Sequence, residues 1–455
     1  MKKRILIFVI ISAGLLLLTI WLLHRSNSEK KTSGTIHAGA MSIGETGKSR
    51  SRSEWEFNRL RDPVTNTIPA DIRRGELEYA RTLPKAEIKQ KSTSWISRGP
   101  YNVGGRTRGA AIDVTDDNII IAGGVSGGLW RSTDGGNTWS KMTQPDQLHN
   151  VTCIVQDTRP GKTNSWYYGT GESYGNSANE GFTAAFLGDG IYKSTDGGIT
   201  WNWLESTHSG TPHVYDKWDY IWNIVVDPSC DTADIIYAAC YKCLQRSTDG
   251  GETWTELIPF VNQGSWFTDV AVTTTGVVYT TFSADGTQKG IFRSGDGVNF
   301  NSILPGPSTD TIDTIPFPSA YYRIVIGINP ANENEVYFLA NTPSYGQHSD
   351  VFFGGEEWNS LWKYTYISGN GSGYGGTWQD LSYNLPANSP YPFENLYVQS
   401  SYDMAIRVKP DEPDVIFIGG TNIYRSTDGF TSSDNTKQIG GYKPGSVDTD
   451  WDIWP

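Results

Sequence analysis

"RSTDGGNTW" at Arg131–Trp139 returns as "KSTDGGITW" at Lys193–Trp201 and as "RSTDGGETW" at Arg246–Trp254. A catalytic device is needed once, whereas a folding device is needed in every copy of a repeated unit. The recurrence therefore decides for the fold. Each residue type in the box has a local task. Asp134, Asp196 and Asp249 are placed to fold their carboxylates onto backbone N–H groups of their own turns, and Ser132, Ser194 and Ser247 add a second local hydrogen bond. The glycine pairs that end at Gly136, Gly198 and Gly251 supply the positive φ that other residues resist. Trp139, Trp201 and Trp254 then open the following strand with a large packing surface.

Around each box lies a larger module. In the first copy it reads "TRGAAIDV", "NIIIAGG", "GGLWRSTDGGNTW"; in the third, "YIWNIVVDP", "DIIYAAC", "CLQRSTDGGETW". Weaker copies occur at Gly290–Phe300, at Ser368–Leu381 and at Asn422–Phe430, the last with Ser426 and Asp428. Box serines fall at 132, 194, 247, 294, 368 and 426, a spacing of 47 to 74 residues. Four short strands per copy at that spacing predict an all-β chain, a β-propeller of four-stranded blades. Six blades are visible, and seven are expected when complete. "TSWIS" at Thr93–Ser97 mimics a fourth strand that no first three strands precede, and only "GYKPGSVDTDWDIWP" comes after the sixth copy. The expected propeller thus covers 95–441, with 442–455 beginning a truncated last blade. Substitutions at Asp134, Asp196 and Asp249 are expected to add, since separate blades hold them.

Composition agrees with a turn-rich, aromatic-backed β protein: 50 glycines, 17 tryptophans and 24 tyrosines against four methionines in 455 residues. Residues 1–94 hold 17 of the 37 Lys and Arg and 9 of the 49 Asp and Glu, a net +8; the remainder carries 20 against 40, a net −20. A body this acidic repels phosphate backbones, which excludes nucleic acid as a partner. At the N-terminus, Lys2, Lys3 and Arg4 precede an apolar run from Ile5 to Leu23. As a helix it would measure roughly 28 Å, close to the bilayer core of about 30 Å. Residues 1–25 read as a signal-anchor through 5–23 or as a cleaved signal peptide, and either means export. Residues 26–94 read as a tether with short helices near Glu54–Arg61 and Ala70–Thr82 that pack on the body of the chain or on a partner. Cys153, Cys230, Cys240 and Cys243 permit three pairings; "CYKC" flanks a two-residue hairpin turn rather than a metal.

The box, S-x-D-G-x-x-T-W, resembles the BNR or Asp-box repeat over about residues 95–440. Families that use it include sialidases, xyloglucan-cleaving hydrolases and sortilin-type receptors. "GPYNVGGRTRGAAIDV", "AGGVSGGLWRSTDGGNTW" and "GTGESYGN" at Gly169–Asn176 are most similar to the sortilin-like propellers of large exported bacterial proteins. Such propellers are often labelled glycosyl hydrolases by fold alone. Two departures matter. "YRIV" at Tyr322–Val325 lacks the proline of the sialidase motif and opens blade five, and "GGVSGGLWRS" lacks the aspartate of the xyloglucanase pattern.

A propeller ligand is expected at the mouth of the central channel, where first strands start and the loops between strands two and three open. Two such loops are enlarged, "GTGESYGNSANEGFTAAFLGDG" in blade two and "NTPSYGQHSDVFFGGEEWNS" in blade five. Candidate ligand-binding residues are Arg106, Tyr174, Trp218, Arg323, Trp358 and Arg407, with the three arginines as a carboxylate-binding cluster. Candidate catalytic carboxylates are Glu172, Glu180, Asp219, Glu356, Glu357 and Asp403, since a glycosidase needs two at about 5–10 Å. No nucleophile elbow, HExxH or phosphate loop is present, and "DTDWD" at Asp448–Asp452 lacks the glycine and glutamate of a calcium loop. No metal or cofactor is expected. The first reading is an exported binding module for glycan or protein ligands; the alternative is a glycoside hydrolase, sialidase-like or xyloglucanase-like.

Overall fold

The computed structural model describes residues 57–69, 71–84, 105–172, 186–208, 216–261, 263–304, 316–351, 355–387, 389–391 and 394–442. The chain divides into two units, Met1–Arg59 and Leu60–Pro455, and the blades belong to the second. The apolar run at 5–23, the strand expected at Thr93–Ser97 and the last-blade segment 443–455 lie outside the described residues. Among the described residues no helix is long and apolar enough to cross a membrane.

Six antiparallel sheets follow one another. Blade one is β1 Thr107–Ile112, β2 Ile120–Gly124, β3 Gly128–Ser132 and β4 Ser140–Lys141; blade two is β5 Val151–Gln156, β6 Trp166–Thr170, β7 Ile191–Ser194 and β8 Asn202–Trp203. Blade three is β9 Ile221–Val226, β10 Ile236–Cys240, β11 Cys243–Ser247 and β12 Thr255–Ile258; blade four is β13 Thr268–Val272, β14 Val278–Phe282, β15 Gly290–Ser294 and β16 Asn301–Ser302. Blade five holds β17 Ile324–Ile328, β18 Glu335–Asn341, β19 Gln347–Val351, β20 Gly355–Tyr366 and β21 Gly376–Asp380; blade six is β22 Ala405–Val408, β23 Ile416–Gly419, β24 Ile423–Ser426 and β25 Thr436–Gly440.

First strands of successive blades pack side by side, β1 on β5, β5 on β9, β9 on β13, β13 on β17 and β17 on β22. Flanked on both sides, β5, β9, β13 and β17 read as near-continuous apolar runs, as strands buried on two faces do. The core is accordingly a set of seams rather than one centre. Tyr167, Ile191, Leu204, Trp218 and Ile236 fill the seam between blades two and three, and Tyr337, Leu361, Ile406, Ile418 and Tyr424 that between five and six. "CYKC" does flank the β10–β11 turn, with Cys240 opposite Cys243 and both buried.

The boxes that carry the aspartate close their turns from inside. Ser132 Oγ donates to Asp134 Oδ1 at 2.8 Å, the N–H of Thr138 donates to the same oxygen at 2.8 Å, and Thr138 Oγ1 donates to Oδ2 at 2.6 Å. Trp139 Nε1 returns to Gly136 O at 2.9 Å. Asp196 with Thr200 and Asp249 with Thr253 repeat the set. In blade six Ser432 and Asn435 take the place of the threonine, and Phe430 holds φ 58 where the boxes of blades one to three have their second glycine.

In blades one to three the basic residue ahead of the box serine makes a second connection. Arg131 Nε donates to Gly197 O at 3.1 Å, and Lys193 Nζ donates to Gly250 O at 2.9 Å. In blade three Arg246 Nε donates to the Tyr237 hydroxyl, which itself donates to Gly297 O, both at 3.3 Å. Blades one, two and three thus each grip the turn of the next. A Cβ on Gly198 would stand 2.3 Å from Ile121, and one on Gly251 2.5 Å from Leu204, so the second glycine is needed for close approach as well as for φ. Boxes in adjacent blades are in contact, whereas the expectation of additivity presumes that they are separate.

Blade five departs from the four-stranded plan. Asn359 of β20 pairs with Asn341 of β18 and with Gln347 of β19, so β19 shares an edge of β20 with β21. Its enlarged loop is a strand hairpin. Ahead of the blades, α1 Ile72–Thr82 lies on blade two: His208 holds Asp71 at 2.6 Å, Arg74 reaches Glu205 at 3.5 Å and sits 5.0 Å from the Trp203 ring centre.

Two outcomes are expected. Lys193→Met and Asp249→Ala should each lower the calorimetric melting temperature by a few degrees. The double variant should lose less than the sum, because Lys193 needs the turn that Asp249 closes. Burial opposes ionisation of Asp249, but the hydrogen bonds from Thr253 and Ser247 outweigh it and hold its carboxyl down at about 2. A folded value below the unfolded one of about 3.9 stabilises the fold above about pH 4, and that gain is lost as pH falls toward 2. Asp249→Asn should therefore flatten the fall of melting temperature with pH in that window.

Candidate functional site

The first strands begin at one end of the ring, and the residues there come from all six blades. Blade one brings Arg106 and Arg108, blade two Glu172 just past β6, and blade three Trp222. Blade four brings Asp269, blade five Arg323 just ahead of β17, and blade six Tyr402 and Asp403 ahead of β22.

Glu172 is the centre of the group. Its side chain is fully buried, the Tyr402 hydroxyl donates to Oε1, and Arg106 Nη1 and Arg108 Nη1 lie 3.8 and 4.0 Å from that oxygen. Arg108 also stands 5.0 Å from the Tyr402 ring centre and 5.7 Å from that of Trp222. Arg323 lies 5.4 Å from the Trp222 ring centre and donates from Nη1 to Tyr402 O at 3.0 Å. Among the described residues, Glu172 Oε2 and Arg323 Nε are buried without a hydrogen-bond partner. Buried polar atoms left open in this way call for an explanation, and a ligand is one.

Burial and charge compete here. Burial pushes the Glu172 carboxyl up, while Arg108, the Tyr402 hydroxyl and Arg106 pull it back, leaving a net rise. Asp403 is raised by burial against Arg108, Arg323 and Arg106. Burial pushes the Tyr402 phenol far up, and Glu172 pushes it further. Burial, then repulsion from Arg108, lowers Arg323 to about 10. The mouth therefore holds two carboxyls displaced toward their protonated forms beside three arginines.

Of the candidates read from sequence, Arg106, Glu172, Arg323 and Asp403 are brought together. Tyr174 and Glu180 lie outside the described residues. The rest are placed elsewhere. Glu357 is buried, accepting the Val398 and Ser400 N–H groups at 2.7 Å each, so it holds backbone rather than ligand. Glu356 points to solvent with His348 at 2.9 Å, and Trp358 lies against the same imidazole, 4.7 Å between ring centres. Trp218 is core, packed edge-on against Trp254 at 5.2 Å. Arg407 turns back on Ile406 O at 2.8 Å and, with Arg323, acts electrostatically on Asp269. Asp219 accepts the Asp216 N–H at 2.7 Å, and burial with repulsion from Asp216 raises it to about 8. Arg108, Trp222, Asp269 and Tyr402 were not singled out in the sequence. Arg108 was within reach, because residues two apart on a strand share a face with each other. Asp269 serves the frame, accepting from Asn223 at 2.8 Å and from the Ile326 N–H at 3.2 Å. A separate open depression of about 530 Å³ lies between blades three and four, lined by Ile258, Phe292, Phe300 and Asn301.

No family model matches the chain. A xyloglucanase of Acetivibrio thermocellus is 25% identical over 296 residues, 56% of this chain and 32% of that protein. A xyloglucanase of a Paenibacillus species is 24% identical over 331 residues, 64% of this chain and 30% of that one. The chain thus spans about a third of the length of the curated relatives it matches. Among solved structures, an ancestral GH74 enzyme is similar with a TM-score of 0.51 at 15% identity, over 76% of this chain and 43% of that one. That likeness carries the fold.

Asp219 generates a pH prediction. Its folded value of about 8 lies above the unfolded one, so its contribution is full below about pH 4 and is lost as pH rises through 8. Asp219→Asn should remove that slope and melt higher than wild type at pH 9. Melting curves from pH 5 to 9 test it; parallel curves would contradict the assignment.

Proposed function

We propose that this chain is a glycoside hydrolase-like propeller that takes a glycan at its channel mouth, with Tyr402, Glu172 and Asp403 as the reacting groups. The observation that carries the reading is the Tyr402–Glu172 contact flanked by Arg106 and Arg108. Two carboxyls are the usual set for glycoside cleavage, and a tyrosine nucleophile is a known variant. In this scheme Tyr402 Oη bonds to the anomeric carbon as its proton passes to Glu172. The bond from that carbon to the leaving oxygen breaks, and Asp403 protonates the oxygen. Water then attacks the same carbon and the bond from that carbon to Tyr402 Oη breaks; the phenolate takes its proton back from Glu172, and the water gives its own to Asp403. Burial favours the protonated Asp403 that this step needs, while Arg108 and Arg106 oppose the net rise of the Glu172 carboxyl, which must be ionised to take the phenol proton.

The similarity to xyloglucanases supports the same class and makes xyloglucan the first substrate to try. In this reading the body is exported, either anchored through residues 5–23 or released after cleavage, and it belongs with the Asp-box, sortilin-like propellers. A second reading, a glycan- or protein-binding module without turnover, is favoured by burial. Glu172 is 1% exposed and Tyr402 7%.

Reducing-end release from xyloglucan and from acidic glycans separates the two. Glu172→Gln and Tyr402→Phe should each cut turnover by about 100-fold or more without moving the melting temperature. Binding without turnover, weakened by Arg108→Ala, would establish the second reading; turnover intact in both variants would remove the Tyr402–Glu172 pair from the chemistry.

A further inference from the structure

Between β21 and β22 the chain carries Gln399, Ser400 and Ser401 at φ 49, 53 and 80. Left-handed backbone is unfavourable for residues with a Cβ, and three in succession persist only where the surroundings over-determine them. The next two residues are Tyr402 and Asp403 of the mouth.

The surroundings are explicit. Turns of this kind aim successive N–H groups into a concavity that suits an anion. Here Glu357 fills it, Oε2 taking the Val398 N–H and Oε1 the Ser400 N–H, both at 2.7 Å. Asn359 Nδ2 donates to Glu357 Oε2 at 3.2 Å, and Asn341 Nδ2 donates to Asn359 Oδ1 at 3.2 Å. Ser401 Oγ donates to Asn341 Oδ1 at 3.2 Å, which closes the circuit, and Arg323 holds the carbonyl of Tyr402 at 3.0 Å. Pairing of β18 with β20 stops at Asn359, and Glu357 is held in the sheet only by β19, opposite Ser349. The extra strand of blade five is what places this carboxylate.

We propose that Glu357 is the positioning residue for Tyr402, acting through the turn 398–401, and that the enlarged hairpin of blade five serves to deliver it. The inference rests on the reading that the Tyr402–Glu172 contact is the working pair. It assigns to the hairpin an internal task in place of a ligand-binding one.

The test reads Tyr402 directly in the full chain labelled with ¹³Cζ-tyrosine, its resonance identified by its loss in Tyr402→Phe. Glu172→Gln removes the charged acceptor and defines the displaced position. Glu357→Ala should move the Tyr402 resonance to that position or broaden it into several, while Tyr168 and Tyr424 stay in place. Glu357→Gln keeps one acceptor oxygen and should give an intermediate shift. If Glu357→Ala does not fold, Glu357→Gln and Asn359→Ala supply the comparison. A Tyr402 resonance unmoved in the variants that fold would overturn the proposal. The readout needs no substrate, so failure of the wild-type chain to turn over a glycan would count against the hydrolase reading alone.

Discussion

Blades one to four depend on one repeated contact, a cation of one blade holding a carbonyl of the next blade's turn, directly from blades one and two and through the Tyr237 hydroxyl from blade three. Arg131 reaches Gly197 and Lys193 reaches Gly250. The carbonyl is presented correctly only if the aspartate immediately before that glycine has closed the turn. The next glycine must also lack a side chain, because the preceding blade stands within contact distance. Turn closure, blade spacing and seam packing are therefore one constraint. Fully buried residues along the seams contribute about 1.5–3 kcal/mol each, but only when the turns hold the blades at that spacing.

That constraint explains what was legible in the chain. Ser132, Asp134, Thr138 and Trp139 act on one another within eight residues, and local chemistry is what a sequence displays. The same logic allows an exception such as Phe430, whose left-handed backbone is supported by complete burial of its ring in the seam with blade five. The site was harder. The repeat pattern gave Glu172, Arg323 and Asp403 a position along their blades, yet the direction of a side chain was not available from it. Trp218 and Glu357 face inward and Arg407 folds back, and the first two of these outcomes depend on partners far along the chain. Tyr402 carries no motif, and its place follows from a turn whose three left-handed residues have no glycine to announce them.

At the mouth, desolvation and charge oppose each other, and desolvation prevails at Glu172 and Asp403. Three arginines beside two displaced carboxyls keep the axis from being either a neutral plug or a simple anion trap. Burial raises the Glu172 carboxyl, and Arg108, the Tyr402 hydroxyl and Arg106 lower it, with a net rise. The acidic exterior of the body surrounds a mouth in which three arginines face Glu172, Asp403 and Asp269, and that exterior disfavours extended polyanions.

The most direct measurement is a crystal structure of the full chain soaked with a xyloglucan oligosaccharide. Sugar density is expected at the channel mouth, with a ring against Tyr402 and a glycosidic oxygen within hydrogen-bond reach of Asp403 or of Glu172. Sugar bound instead in the depression between blades three and four, with the Tyr402–Glu172 contact undisturbed, would contradict the assignment of the mouth as the glycan site.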